Sequence, residues 1–199
     1  MRAFFAVNLA SEVRNRIAEV EESLRSTLRG EPIGWVHPER LHLTLRFLGE
    51  TPHDQLKEVR EVADLAAQSW APFQIALHGL GCFPDRKRPR VVWVGASDPA
   101  GALARIASDL ESIARSCGFR PETRGFHPHL TLGRVRDRLS PEGLRTLAAA
   151  LQEHAQADFG ASAVDAVHLM GSQLRPGGPE YTPIAALVLS RDRREAVSP

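Results

Sequence analysis

One segment near residue 45 alternates between apolar and polar side chains. From residue 41, three leucines and Phe47 occupy every second position, and His42, Thr44 and Arg46 occupy the positions between them. A period of two is typical of a strand with one buried and one polar face. The pattern predicts a strand over residues 41–49 whose polar face presents these three side chains in a row.

A second segment, residues 123–134, repeats the alternation. His129 and Thr131 fall on one face of the predicted strand, and Leu130 and Leu132 fall on the other. The chain therefore has two predicted strands that each present a histidine and a threonine two residues apart.

The remaining periodicity predicts four helices and several shorter strands. Apolar residues recur at intervals of three and four in each helical segment, and Ser11 and Ser140 are typical cap residues for the first and last helix. The predicted helices cover residues 11–29, 53–69, 99–117 and 140–154. Further strands are predicted at 4–8, 33–36, 73–78, 91–95, 163–170 and 181–189, with loops at 79–90 and 175–179 and a frayed tail at 191–199.

Composition narrows the class of protein. The chain has 199 residues, of which 43% are hydrophobic and 25% charged, and this excludes intrinsic disorder, collagen-like repeats and a disulfide-stapled miniprotein. Its net charge of +1 creates no global field for a polyanion, so any contact with nucleic acid must come from a local patch.

The sequence also indicates the cellular compartment of the protein. It has no signal-peptide core and no long apolar segment, so we expect no membrane partner. Cys82 and Cys117 are far apart and form no Cys-x-x-Cys motif, which favours a reducing compartment and predicts a cytoplasmic protein.

The two alternating strands belong to a longer repeat. The tetrapeptide His-Leu-Thr-Leu occurs at residues 42–45 and again at 129–132, a spacing of 87 residues. A helix, an apolar strand, a glycine-containing loop and another strand are predicted after each copy. This order predicts a duplicated β-α-β-β unit within one domain over residues 1–199, whose two pseudo-symmetric lobes confront the motif strands across a groove.

Two histidines and two threonines in one groove are suited to phosphoester cleavage. The ordinary pKa of histidine, about 6.5, lets one neutral imidazole accept a proton while a second, charged imidazole donates one. Threonine hydroxyls beside them can donate hydrogen bonds to the phosphoryl oxygens that hold negative charge in the transition state. This chemistry requires no metal and no other cofactor.

These motifs identify a resemblance to a known family. The segments 41–49 and 128–134, together with the opening at 2–7, Trp35 and residues 81–95, resemble the two-histidine phosphoesterase superfamily over essentially the whole chain. The likeness is greatest to the RNA 2′,3′-cyclic phosphodiesterases, also called 2′-5′ RNA ligases. It implies a bilobal α+β fold in which two antiparallel sheets face a central groove and helices lie on the outside.

The resemblance also implies a reaction and roles for four residues. The reaction is hydrolysis of a terminal RNA 2′,3′-cyclic phosphate to a 2′-phosphate, with reversible 2′-5′ joining of RNA ends as a related activity. His42 would be the proton donor and His129 the proton acceptor, and Thr44 and Thr131 would hold the phosphate. The motifs are symmetric, so the assignment of acid and base rests on the family alone.

Five further side chains are candidates for substrate binding. Arg46 shares the predicted polar face of the first motif, whereas Arg134 is out of phase with His129 unless the strand has ended. Phe83 precedes a basic run that includes Arg90, which suggests a stacking surface beside a phosphate-binding patch, and Phe126 immediately precedes the second motif strand.

The sequence leaves alternatives to this reading. A related enzyme could open a small cyclic phosphate such as ADP-ribose cyclic phosphate, and a non-catalytic RNA-binding module could retain the groove. A metal site at His127 and His129 is disfavoured because no Cys-x-x-Cys, His-Glu-x-x-His or acidic third ligand accompanies them. We expect RNA ends or cyclic nucleotides as ligands, no obligate protein partner and a monomer.

Overall fold

The computed structural model describes residues 1–175 and 178–190, and it describes only the backbone of the residues at 174, 175, 178 and 179. Within these residues the chain forms four α-helices, a 3-10 helix over Pro38–Arg40 and nine strands. The α-helices are α1 (Ser11–Thr27), α2 (His53–Ala67), α3 (Ala102–Ser116) and α4 (Pro141–Glu153). The strands are β1 (Arg2–Asn8), β2 (Ile33–Trp35), β3 (His42–Glu50), β4 (Phe73–Phe83), β5 (Val91–Ser97), β6 (His129–Val135), β7 (Asp158–Val164), β8 (Ala166–Arg175) and β9 (Gly178–Val188).

The strands form one curled antiparallel sheet with two four-stranded halves. The order is β7-β4-β5-β6-β3-β1-β8-β9, and β2 pairs with β6 beside this path. The halves meet between β3 and β6 through a single residue pair, Leu43 and Leu130. The predicted α+β, bilobal and duplicated architecture is confirmed, and the two expected sheets are the two halves of one sheet.

Each half of the sequence contributes at least one strand to the lobe of the other half. Strand β4 follows the first motif strand but pairs with β5 and β7, beside the second motif strand. In turn, β8 follows the second motif strand and pairs with β1, which lies next to β3. The lobes are therefore built by exchange, and each contains strands from both parts of the chain.

The hydrophobic core lies between the sheet and the helices. The inward residues of the two motif strands, among them Leu43, Leu130 and Leu132, are completely buried. They share one core with apolar residues from every α-helix, such as Ile17, Val59, Leu110 and Leu147. Because side chains alternate along a strand, the histidines and threonines between these leucines face away from the core.

Several predicted boundaries are wrong, and the predicted loop at 175–179 overlaps the end of β8 and the start of β9. Residues 79–83, predicted as loop, extend β4 to Phe83, and the predicted strand 163–170 spans the end of β7 and the start of β8. Most of β7 escaped prediction because Gly160, with φ +93°, interrupts its alternation and places polar Ser162 in a buried position. The Ser162 hydroxyl accepts a hydrogen bond from the Ala10 amide there, which satisfies the buried oxygen.

Other expectations fall only partly on described residues. The predicted loop at 175–179 includes residues 176 and 177, which lie outside the described part, as does the whole predicted tail at 191–199. Among the described residues, no helix is both long enough and apolar enough to cross a membrane.

Candidate active site

The two motif strands bring their histidines and threonines together at the seam between the lobes. Strands β3 and β6 are antiparallel about the pair Leu43 and Leu130. In that register His42 is next to Thr131, and Thr44 is next to His129. All four side chains are half-buried on the face opposite the core. Each histidine therefore has the threonine of the other lobe as its neighbour across the seam.

Both imidazoles are held by the same backbone contact. The Nδ1 atom of His42 is 2.8 Å from the carbonyl oxygen of Arg40, and Nδ1 of His129 is 2.7 Å from the carbonyl oxygen of His127. A carbonyl oxygen can only accept a hydrogen bond, so each Nδ1 carries the hydrogen. This leaves Nε2 of each ring as the nitrogen that exchanges protons with a ligand.

Burial and neighbouring charge lower the pKa of both histidines. For His42, burial is the main cause, the hydrogen bond to the Arg40 carbonyl opposes it, and the Arg134 charge lowers the pKa further. For His129, burial again dominates against its carbonyl partner, and Arg134 and His127 also lower the pKa. The empty groove thus favours neutral imidazoles, and a bound phosphate anion would favour the charged form.

Aromatic rings surround each imidazole. Phe4 stacks on His42 with ring centroids 4.9 Å apart, and Tyr181 meets His42 edge to face at 5.0 Å and 86°. In the other lobe, Phe83 meets His129 edge to face at the same 5.0 Å and 86°. The structure thus places the predicted Phe83 in the site.

Sequence reasoning missed Phe4 and Tyr181. Phe4 is one of two adjacent phenylalanines in an apolar strand, and only the pairing of β1 with β3 shows which of them faces the groove. Tyr181 lies in β9, an edge strand that is three positions away from β3 in the sheet. Burial raises the pKa of the Tyr181 hydroxyl, which keeps it neutral as a hydrogen-bond donor.

A β-bulge in β3 moves Arg46 out of the site. Strand β1 pairs Phe5 with Arg46 and the next residue with Thr44, so Leu45 is the extra residue. Arg46 is only 7% exposed and points to the helix side, where its guanidinium pairs with the Glu111 carboxylate of α3. The expectation that Arg46 shares the face of the first motif is therefore wrong.

The same bulge brings Phe47 onto the groove face. Its ring is 52% exposed and lies 5.9 Å from the ring of Phe4, which itself stacks on His42. An exposed aromatic side chain beside the imidazole cluster is a surface on which a base can stack. The strict alternation in the sequence hid this residue among the expected core positions.

A matching bulge in β6 brings Arg134 into the site. Strand β5 pairs Trp93 with Thr131 and Val92 with Gly133, which leaves Leu132 as the extra residue. The strand continues to Val135, yet the bulge restores Arg134 to the groove face. Its charge lowers the pKa of both catalytic-motif histidines, as described above, so it lies close to both.

Two predicted substrate contacts are placed elsewhere. Phe126 is half-buried and packs against the hydrophobic core, which corrects its expected role as a stacking surface. Arg90 lies just before β5 and lines a separate cavity with Arg138, away from the two histidines. The structure therefore groups His42, His129, their threonines, Phe83 and Arg134, and separates the other three predicted residues from them.

A cavity of about 330 Å³ adjoins His129. It is lined by Phe83, Trp93 and three histidines, among them His78, whose Nε2 lies 3.0 Å from the Ser97 hydroxyl. The indole of Trp93 lies flat over Gly81, where an added Cβ would be only 2.1 Å from the ring. Its Nε1 is buried and has no hydrogen-bond partner within the described chain.

Among the described residues, no three His, Cys, Asp or Glu side chains are grouped to hold a metal.

Comparison with known protein families also finds two copies of one unit in the chain. The model of the LigT-like phosphoesterase family matches residues 7–93 and again residues 94–181, one match for each copy of the motif. The chain belongs to the LigT-like phosphoesterase family.

Relatives of this LigT-like phosphoesterase match it over most of its length. An Aeropyrum pernix protein named RNA 2′,3′-cyclic phosphodiesterase is 40% identical over 83% of the chain and 90% of its own length. A protein of the same name from Methanothermobacter thermautotrophicus is 34% identical over 92% of the chain and 95% of its own length.

Solved structures share the fold. A Thermus thermophilus protein superposes with a TM-score of 0.81 at 29% identity, covering 97% of this chain and all of its own. Escherichia coli LigT in complex with 3′-AMP has a TM-score of 0.73 at 28% identity, covering 96% of this chain and 98% of its own.

Proposed function

We propose that this LigT-like phosphoesterase hydrolyses terminal RNA 2′,3′-cyclic phosphates to 2′-phosphates by metal-independent acid–base catalysis. The observation that carries the proposal is the seam at Leu43 and Leu130, which places two histidines of fixed tautomer beside two threonines. Relatives that bear the name of this activity, at up to 40% identity, support the choice of substrate.

In the proposed reaction, His129 is the base and His42 the acid. Neutral Nε2 of His129 removes a proton from water, and the water oxygen forms a bond to phosphorus in line with the 3′ oxygen. The bond between phosphorus and the 3′ oxygen breaks, and Nε2 of His42 donates its proton to that oxygen. The products are a 3′-hydroxyl and a 2′-phosphate, and one water is consumed.

The environments of the histidines support these roles. The positive field of His127 and Arg134 at His129 favours its neutral form, which a base requires. His42 contacts both Phe4 and Tyr181, and burial there lowers its pKa and makes its charged form a stronger acid.

Three side chains are proposed to bind the phosphoryl oxygens. The hydroxyls of Thr44 and Thr131 face the groove beside the histidines, and both can donate hydrogen bonds there. Arg134 adds a fixed positive charge near both imidazoles. Donors that are already in place stabilise the charge of the transition state without further rearrangement.

The same arrangement supports a second reaction with a different nucleophile. If the 5′-hydroxyl of a second RNA replaces water, His129 removes its proton, the 5′ oxygen forms a bond to phosphorus, the bond to the 3′ oxygen breaks, and His42 protonates that oxygen, which leaves a 2′-5′ phosphodiester and a 3′-hydroxyl. We therefore include reversible 2′-5′ joining as a secondary activity of this site. We also propose that the protein is cytoplasmic, since Cys82 and Cys117 are both unpaired, and that it acts as a monomer.

The test is product analysis with a defined substrate. A short RNA with a 2′,3′-cyclic phosphate is incubated with the protein in the presence of a chelator, and the phosphate isomer is identified. We expect a 2′-phosphate, and we expect His42→Ala and His129→Ala to lose at least about a thousandfold in kcat.

Three results would contradict the proposal. A 3′-phosphate product would reverse the proposed leaving group, and loss of activity with the chelator would show a metal requirement. Turnover of ADP-ribose cyclic phosphate without turnover of RNA or cyclic mononucleotides would assign a different substrate. Tight RNA binding that both histidine variants retain, without any turnover by the native protein, would indicate a binding module.

A further inference from the structure

A second cavity, also of about 330 Å³, is lined by residues of the loop that follows Phe83 and by none of the histidines. Four positively charged residues line it: Lys87, Arg88, Arg90 and Arg138. The first three belong to the loop between β4 and β5, and the fourth follows β6. Two separate parts of the sequence thus converge to form one cationic cavity, here called the basic cavity.

The basic cavity has a net positive charge, because its lining holds four cations and one carboxylate. Within the part of the chain that the structure describes, none of the four forms an ion pair. One carboxylate, Asp137, also lines the cavity, and its Oδ1 accepts a hydrogen bond from the Arg138 amide. Four like charges held around a concave surface repel one another unless an anion binds between them.

The loop that carries three of these cations is held in place by its own hydrogen bonds. Oδ1 of Asp85 accepts bonds from the amides of Lys87 and Arg88 at 2.7 and 3.0 Å. The Arg90 amide donates to the Phe83 carbonyl at 2.6 Å, and Pro89 between them is buried. The backbone of the cationic loop is therefore ordered before any ligand arrives, which reduces the entropy lost on binding.

The basic cavity adjoins the active site through the sheet. Arg90 directly precedes Val91, which pairs with Arg134, and the Arg90 carbonyl accepts a bond from the Val135 amide at 3.0 Å. At the other end of the same loop, Phe83 contacts His129. A strand of RNA that leaves the groove over Arg134 would reach the basic cavity near the start of β5 and the end of β6.

We propose that the basic cavity binds a backbone phosphate of the RNA strand upstream of its cyclic end. This inference rests on the proposed function, because it extends the substrate from a single terminal nucleotide to a polynucleotide. Guanidinium groups bind phosphate through paired hydrogen bonds, and three arginines line this cavity. The enzyme therefore binds oligonucleotide ends more tightly than cyclic mononucleotides.

The test compares substrates of two lengths in matched variants. Kinetics are measured for a 2′,3′-cyclic mononucleotide and for an eight-nucleotide RNA with a cyclic end, with Arg138→Ala and Arg88→Ala. The control is Arg86→Ala, which removes a cation from the same loop that bonds to Gln152 and does not line the cavity.

We expect each cavity variant to raise KM for the long substrate by about fivefold, without a change for the mononucleotide. The slope of log KM against log salt for the long substrate should fall by about 0.7 for each cation removed. Arg86→Ala should leave both substrates unchanged. Equal effects on both substrates, or no effect on either, would overturn the proposal.

A binding measurement separates this inference from the proposed function. Anisotropy of a labelled eight-nucleotide RNA with a plain 3′-hydroxyl reports on the basic cavity even if no cyclic phosphate is hydrolysed. Binding that weakens with Arg138→Ala but not with Arg86→Ala supports the cavity in either case. If Arg138→Ala weakens binding of inorganic phosphate alone and leaves RNA binding intact, the cavity binds free phosphate and the RNA assignment is wrong.

Discussion

Arg134, in the second lobe, lies close enough to His42, in the first lobe, to lower the pKa of its imidazole. The same guanidinium also lowers the pKa of His129 within its own lobe. One side chain therefore lowers the pKa of both motif histidines, and this arrangement exists because the bulge at Leu132 turns Arg134 toward the groove.

The pH profile of kcat/KM should reflect these lowered pKa values. The proposed reaction requires neutral His129 and protonated His42, and both pKa values in the free enzyme lie below the ordinary value of about 6.5. As pH rises through the pKa of His42, its proton is lost, so the alkaline decline should begin below pH 6.5. The measurement is kcat/KM from pH 4 to 8, and an alkaline decline centred above about 7 would contradict these roles.

Replacement of Arg134 should change both the rate and the profile. In Arg134→Met, the loss of a phosphate donor should lower kcat/KM by about a hundredfold. The loss of positive charge should also raise both histidine pKa values and shift the profile toward alkaline pH. Arg134→Lys keeps the charge, so it should retain the native profile with reduced activity. A rate loss without any alkaline shift in Arg134→Met would place Arg134 away from the histidines.

Phe47 should contribute to substrate binding by stacking. Its exposed ring lies beside Phe4 on the groove face, and stacking of a base on an aromatic ring contributes about 1–3 kcal/mol. Phe47→Ala should therefore raise KM by about tenfold with little change in kcat, and Phe47→Tyr should restore it. Leu65→Ala is the matched control because Leu65 is 69% exposed on α2, far along the chain from both motifs. An equal KM in Phe47→Ala and the native protein would exclude the stacking surface.

Arg46 should act on stability and not on substrate binding. Its guanidinium pairs with Glu111 and donates to the Arg120 carbonyl at 2.6 Å in a largely buried position. Arg46→Met leaves these acceptors unpaired and should reduce the free energy of unfolding by about 3 kcal/mol, measured with urea. The double variant with Glu111→Gln should recover part of that loss. KM should stay at the native value, and a raised KM in a protein of native stability would reassign Arg46 to the substrate.

The parts of the site that were predictable are those encoded by local repetition. The two His-x-Thr motifs, their strands and the duplicated architecture follow from residues that lie side by side in the sequence. The bulges at Leu45 and Leu132 do not, because each is fixed by the register of a partner strand, β1 or β5. A single extra residue reverses the faces of everything after it, which is why Arg46 and Phe47 exchanged their expected positions.

Contacts between distant strands also lay beyond the sequence pattern. Phe4 and Tyr181 both contact His42, although they lie in β1 and β9, which are far apart in the sequence. Their contact depends on the order β3-β1-β8-β9 in the sheet. The basic run before β5 was visible, but the convergence of Arg138 on the same cavity depends on where the chain travels after β6. A run of charged residues is visible in the sequence, whereas the residue that completes the cavity can be identified only from the topology of the fold.

The exchange of β4 and β8 between the lobes has a mechanical consequence. Within the described residues, β3 and β6 pair at the seam only through Leu43 and Leu130, so few strand-to-strand hydrogen bonds join the lobes there. The two parts of the chain are nevertheless interlocked, because pulling them apart would unzip β4 from β5 and β1 from β8. Each part of the chain therefore needs strands from the other part to complete its lobe. A half-length chain of this design would complete its groove only by exchanging strands with a second copy of itself.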